Sequence, residues 1–375
     1  MPLDVKIDQP KLHAALKAAN GIAERVAKHQ PILSCVHLRA DKTSFCVSAT
    51  DLMLSSVEAI PAEISKAGVL CVTARHLLNV VATLPSKEIR LQELENHWVQ
   101  LTCGRISMKL AGVAPTDFPN LPQVEKLKMA TVAAAPPLAD LIDKTAFSIS
   151  GDEARVNLNG LLLESTGKRV TAVSTDGHRL TKAALDLVLP KLEKGIIIPR
   201  RGVTELRSLL ARAKAGEIEL GVSENRQHLF VRSGGLTLAL KLAQVVFPPY
   251  MQVIPNAHRR EAKVDRVELT LILTRSLTLA PETTASVRMS FSAKGKLLAV
   301  HADNPDLGVI DDEVELDGFT GEDIIVGYNA HYLIDALRAI TTKLVVMRLQ
   351  GELDPLTIAP VDGPEFISVV MPMRI

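Results

Sequence analysis

The chain has 375 residues, 43 Lys and Arg against 42 Asp and Glu, a net charge of +1 and a pI near 7.7. That balance excludes a protein that grips nucleic acid through bulk basic charge, and neither a bilayer-length apolar run nor a signal-peptide pattern in MPLDVKIDQPKL is present. A soluble cytoplasmic protein is expected. Its cysteines, Cys35, Cys46, Cys71 and Cys103, lack CxxC spacing and a matching His cluster. Buried reduced thiols are therefore expected, with no metal and no cofactor.

In chain order, a helix is predicted from Pro10 to Arg25, because Leu12, Leu16, Ala19 and Ala23 keep the helical period. SFCVSAT is a strand, ending in a turn at Asp51. A second helix, Thr73 to Pro85, carries Leu77, Val81 and Leu84, and WVQLTCGRISMKLAG follows as paired strands. Next come a helix from Pro137 to about Phe147, with Leu138, Leu141, Ile142 and Thr145 on one face, and the strands LNGLLLEST and RVTAVST. A helix from Pro199 to Lys214 precedes LFVRSGGLTLAL, two β-rich runs around Ser-Gly-Gly that signal a hairpin. The last third has a helix from Asp265 to about Leu279, the strands VRMSFSAKGKLLAVHA, a helix from Asn329 to Thr341 and the strand KLVVMRLQ. Each helix is expected to be apolar on one face, covering a sheet, and the class is α+β.

This order repeats. Thr/Ala-Asp pairs ending strand-like runs at Asp51, Asp176 and Asp303 recur about every 125 residues, each followed by an apolar strand and an amphipathic helix. Phe118-Pro119, Phe247-Pro248 and Met371-Pro372 close the units. Three homologous modules are expected, at 1–126, 127–254 and 255–375. Basic residues outnumber acidic ones on the six helical segments. This bias favours helices gathered on one mildly positive wall that holds phosphates without reading bases.

Asp176 and His178 in STDGHRL could suggest a relay, but no nucleophile elbow, P-loop, dinucleotide fingerprint or zincin motif accompanies them. A turn capped by Asp176, with Gly177 at positive φ, is the expected structure, and no catalytic residue is assigned.

Ser174-Thr175-Asp176-Gly177-His178-Arg179-Leu180 and the final Val369-Val370-Met371-Pro372-Met373-Arg374-Ile375 resemble signature strings of the bacterial DNA polymerase III β subunit, the sliding clamp family. DFPNL from Asp117, RVNLNG from Arg155, VVFPPY from Val245 and VGYN from Val326 resemble family segments in the same order. The resemblance implies a homodimeric, head-to-tail ring of six modules, sheets outside and two helices per module inside. Such a ring encircles duplex DNA of any sequence and tethers its partners for processive synthesis. The implied partners are the DNA polymerase III α subunit, the clamp loader and other proteins bearing a clamp motif.

A pocket between modules two and three is implied, with Thr175, Gly177, His178, Arg179 and Leu180 as one wall and Arg155 and Leu158 beside them. Pro248, Val253, Asn329, Tyr332 and the tail Val369, Val370, Met371, Pro372, Met373 and Arg374 complete it. Leu158, Leu180, Val253, Val370 and Met371 suit an extended peptide. Gln252 and Thr284 depart from the family pattern. Arg25, Arg75, Arg200 and Arg201, near helix ends, are expected to contact phosphates. A strand near Arg105 to Leu110, with Met108 and Leu110, is expected to pair with a module-three edge of the partner chain, with Leu279 as apolar counterpart. A clamp-like paralogue, or a DNA- or protein-binding repeat protein that does not close into a ring, is the alternative.

Overall fold

The computed structural model describes residues 2–24, 29–123, 129–132, 135–187, 189, 192–214 and 216–374. Among the described residues, six α-helices form where the helical period predicted them: α1 Gln9–Ile22, α2 Ala74–Ala82, α3 Ala135–Asp143, α4 Arg200–Ala213, α5 Arg266–Ser276 and α6 Ala330–Ala339. Local chemistry sets their starts. Pro10 occupies the first turn of α1. Asp265 caps α5 by accepting from the Val267 and Glu268 amides at 2.8 and 3.1 Å, and Asn329 caps α6 through the His331 amide at 2.9 Å. Helix α1 ends at Ile22, short of the predicted Arg25, which lies outside the described residues.

The chain forms two compact units, Met1–Pro136 with Thr204–Leu242, and Pro137–Val203 with Ala243–Ile375. The first contains a five-stranded and a nine-stranded sheet, the second a twelve-stranded sheet, and every strand pair is antiparallel among the described residues.

The sheets run through the module boundaries. Leu54–Ile60 pairs with Leu236–Lys241, joining the first repeat to the second inside the first unit. Arg179–Asp186 pairs with Phe366–Val370 in the same way inside the second. Each joint hides a strand edge that a lone module would expose. The repeat extends to atoms. Thr50 Oγ1 donates to the Leu54 carbonyl at 2.8 Å, and Asp51 Oδ1 accepts from the Met53 and Leu54 amides at 2.9 and 2.5 Å. Thr175 and Asp176 make the same bonds to residues 178 and 179. The third copy, at Asp303, has a longer turn, with Asn304 opposite Gly308.

Leu12, Leu16, Leu77 and Val81 of α1 and α2 are at most 1 % exposed, as are Leu138, Leu141 and Ile142 of α3. Helix α5 departs from the one-faced expectation. Its apolar residues follow no single stripe, so Leu269, Ile272 and Leu273 are buried while Val267 and Leu271 face outward. All four cysteines are free and buried. No helix among the described residues is long and apolar enough to cross a membrane.

Candidate functional site

The STDGHRL turn is held by its own side chains. Thr175 Oγ1 donates to the Arg179 carbonyl at 2.6 Å and accepts from the Gly177 amide at 3.1 Å, and Gly177 sits at φ 91°. Asp176 Oδ1 accepts from the His178 and Arg179 amides at 2.9 and 3.0 Å, and its Oδ2 accepts from Arg179 Nε at 3.0 Å. Both carboxylate oxygens are therefore committed to the turn. Asp176 is not set up as a relay to His178, whose ring is exposed.

Arg179 stands behind this turn rather than on its surface. Its guanidinium donates to Asp176, to Asp335 at 2.7 Å and to the Phe147 carbonyl at 2.7 Å. It lies 4.5 Å from the Tyr332 ring centre and 5.4 Å from that of Phe147. A planar fork stacked on aromatics is a task Lys cannot perform. Arg179 thus ties the turn to α6. Burial, then the nearby Asp176 charge, pushes the Tyr332 phenol above its ordinary range.

The tail completes the wall. Val370 pairs with Arg179 and Val369 with Leu180, and the pairing continues as the Met371 amide donates to the His178 carbonyl at 2.9 Å. After Pro372, which has no amide hydrogen, the Met373 amide donates to the Gly327 carbonyl at 2.8 Å. Arg374 is exposed and Pro372 half-buried. Leu180, Val369 and Val370 are at most 2 % exposed, so they support the wall from beneath; Met371 and Val253 remain 39 % and 43 % exposed. That corrects the expected slot, in which Leu180 and Val370 were surface members.

Leu180 and Val369 pack with Leu162, Val173 and Ile197 under Phe247, Tyr250 and Ile254. Pro248 accepts from the Tyr250 amide at 2.7 Å, turning the linker, and the Tyr250 hydroxyl donates to Glu164 at 2.8 Å. Burial and that Glu164 carboxylate push the Tyr250 phenol up to about 12. Arg155 donates to the Asp176 carbonyl at 3.4 Å and faces Asp152, and a Cβ on Gly177 would meet Arg155 at 3.4 Å and Leu158 at 4.0 Å. Asn329 donates to the Thr284 carbonyl at 2.9 Å, so Thr284 borders α6 with an exposed side chain. Gln252 is exposed on the linker. The structure therefore brings the turn, the 155–158 loop, the linker, the α6 start and the tail together within the second compact unit.

The expected phosphate-contacting arginines divide. Arg75 and Arg201 are exposed at the second position of α2 and α4, Arg200 is exposed at the first position of α4 and donates to the Ile149 carbonyl at 3.5 Å, and Arg25 lies outside the described residues. Arg212, also counted toward the positive wall, instead holds Glu58, whose side chain is 7 % exposed.

Three family profiles match in succession: the DNA polymerase III beta subunit N-terminal domain over residues 3–122, the central domain over 134–249 and the C-terminal domain over 251–374. The chain belongs to the DNA polymerase III beta subunit family. It is 29 % identical over 371 residues to the beta sliding clamp of Pseudomonas aeruginosa, covering 98 % of this chain and 99 % of that one. It is also 29 % identical over 346 residues to that of Vibrio cholerae, covering 92 % and 93 %. The crystal structure of the Pseudomonas aeruginosa subunit superposes with a TM-score of 0.91 at 29 % identity, covering 99 % of this chain and 100 % of that one. Family membership makes it a sliding clamp, a non-catalytic component of DNA replication.

Among the residues expected at the dimer contact, Met108 and Leu110 lie half-buried on Ile106–Leu110, the outer strand of the five-stranded sheet. Leu279 lies on no strand; its amide donates to the Ser276 carbonyl at 3.2 Å in the turn that ends α5. Sequence reasoning missed Phe147, Asp335 and Glu164. Asp335 sits three residues after Tyr332 on α6, a spacing that places both on one helix face and could have signalled a partner for Arg179.

Proposed function

We propose that this sliding clamp is a homodimer of head-to-tail chains that closes a six-module ring around duplex DNA, with modules at 1–126, 127–254 and 255–375. One observation carries this. Both joints within the chain are the same antiparallel pairing, the third strand of one repeat's sheet against the last strand of the next repeat. Among the described residues, that pattern leaves one strand of each kind with a free edge: Ile106–Leu110 pairs only with Val99–Cys103, and the Gly308 to Glu315 half of Gly308–Thr320 only with Leu297–Asn304. Two chains can satisfy both edges reciprocally.

Charge supports the match. Arg105 and Lys109 flank one edge, while Asp311, Glu313 and Glu315 line the other. Arg275 pairs with Asp312 at 2.6 Å, which sets the end of α5 beside the acidic strand and Leu279 on its flank.

The ring holds DNA topologically, so Arg75, Arg200 and Arg201 need only weak, sequence-independent phosphate contacts. Arg25 is assigned the same role. The exposed slot around His178, Val253, Met371 and Met373 takes an extended peptide from the DNA polymerase III α subunit, the clamp loader or another partner with a clamp motif, in the cytoplasm. Arg155, Leu158, Thr175, Gly177, Pro248, Asn329, Pro372 and Arg374 frame it. Leu180, Val369 and Val370 form its floor, with Arg179 and Tyr332 holding it in place.

Sedimentation should give twice the 40.6 kDa chain mass. Lys109→Pro, which removes an outward amide from the free edge, should give monomers. The loaded dimer should stay on nicked circular DNA and run off linear DNA. A Lys109→Pro protein that remains dimeric would refute this closure.

A further inference from the structure

The first compact unit holds a cavity of about 400 Å³ on the face of its nine-stranded sheet, walled by the segment Phe118 to Gln123. Its floor sits at the positions that form the apolar cluster of the second unit. His37 pairs with Ser48 as Leu162 pairs with Val173, and Ser55 pairs with Ala239 as Leu180 pairs with Val369. Four apolar side chains are thus replaced by an imidazole, two hydroxyls and a methyl. In the second unit the chain's own Phe247, Tyr250 and Ile254 press onto this floor. In the first unit the floor is shallower and polar, and a space is left.

The groups around that space have a sign. Arg39 lines it and has no carboxylate partner among the described residues, while Arg232 shares Glu219 at 3.1 Å. Ser48 is 4 % exposed and lines the space. A hydroxyl beside an exposed guanidinium that has no carboxylate partner suits an anionic acceptor. His37, stacked on Phe118 with ring centres 4.6 Å apart, supplies a flat apolar wall. Burial, then Arg39, holds its pKa below the ordinary range, so it is neutral near pH 7. The volume falls within the range of organic-ligand pockets and exceeds what a bare carboxylate fills.

We propose that this cavity is a second docking site, selective for an acidic peptide: an extended segment whose carboxylate side chain enters between Arg39 and Arg232 and accepts from Ser48. A peptide is favoured because the matching floor of the second unit already receives side chains from a short peptide segment of this chain.

The test uses the full-length protein and two fluorescein-labelled peptides, Ala-Glu-Val-Glu-Ala and Ala-Gln-Val-Gln-Ala, read by anisotropy. The glutamate peptide should bind about tenfold more tightly or better, as a charge-assisted hydrogen bond requires. Arg39→Gln and Ser48→Val, the latter installing the residue of the second unit, should each remove that preference. Truncation after Val370, which strips the tail slot, should leave it intact. Equal binding of both peptides, or a preference that survives both substitutions, would overturn the proposal. Loss on tail truncation alone would place the peptide in the other slot and also overturn it. Displacement by an equal concentration of inorganic phosphate would mark a bare anion site, against the peptide assignment.

Discussion

Leu52 and Gly177 occupy the same place in two copies of one turn, at φ 72° and 91°. The left-handed region costs a residue with a Cβ about 1 kcal/mol or more. Leu52 is 51 % exposed, so little packing offsets that cost. Leu52→Gly should therefore raise stability by about 0.5 to 1 kcal/mol, and Gly177→Ala should lower it by about 1 to 2 kcal/mol. Urea midpoints that moved in the opposite directions would show that the two turns are not equivalent. The three tyrosines, Tyr250, Tyr328 and Tyr332, share a second residue-level property, a phenol pKa raised first of all by burial. The folded chain prefers each phenol neutral, so their contribution is whole below about pH 10 and is lost as pH rises beyond it. Absorbance at 295 nm should show no native ionisation step centred at pH 10. A step near 12 should vanish in Tyr250→Phe, and three ordinary steps should appear on unfolding.

Between elements, the Glu58–Arg212 pair joins a central strand to α4, with the carboxylate far more buried than the guanidinium. Arg212→Ala strands that carboxylate and should cost about 2 kcal/mol, a figure reduced because Arg212 is partly exposed. Adding Glu58→Gln should recover part of the loss. The same pair marks a limit of sequence reading. A helix wheel places Arg212 on the polar side, but cannot reveal a buried acid across from it. The two β-rich runs around Ser233-Gly234-Gly235 were legible from their hairpin signal, as was the turn at Asp176, because both obey local rules. Phe366–Val370, buried at nearly every position between two neighbours, carries no period-two signal and was absorbed into a tail. For that reason deletion from Val370 would cut a central strand. Deletion of Met371 to Ile375 should instead weaken a polymerase-derived peptide by roughly thirtyfold, about 2 kcal/mol, and leave the dimer whole. Unchanged peptide affinity would remove the tail from the slot.

At the scale of the molecule, near-zero net charge and a DNA-facing role fit together only if attachment does not depend on affinity. Replacing Arg75, Arg200 and Arg201 with Gln should weaken DNA binding equally for unrelated sequences and reduce the salt slope by roughly one per lost contact. A preference above about tenfold for one base sequence in the unmodified protein would contradict sliding.

The joint between Leu54–Ile60 and Leu236–Lys241 and the joint between Arg179–Asp186 and Phe366–Val370 are each bridged by a covalent chain. In the proposed ring the third kind of joint has the same backbone chemistry and no bridge. A tethered pair re-forms at an effective concentration of the order of millimolar, whereas the untethered pair meets at whatever concentration the protein has. Equal hydrogen bonding thus produces unequal lifetimes. The subunit boundary becomes the seam at which a ring would part to admit or release a DNA strand, and its opening, unlike that of the other joints, becomes harder to reverse as the protein is diluted.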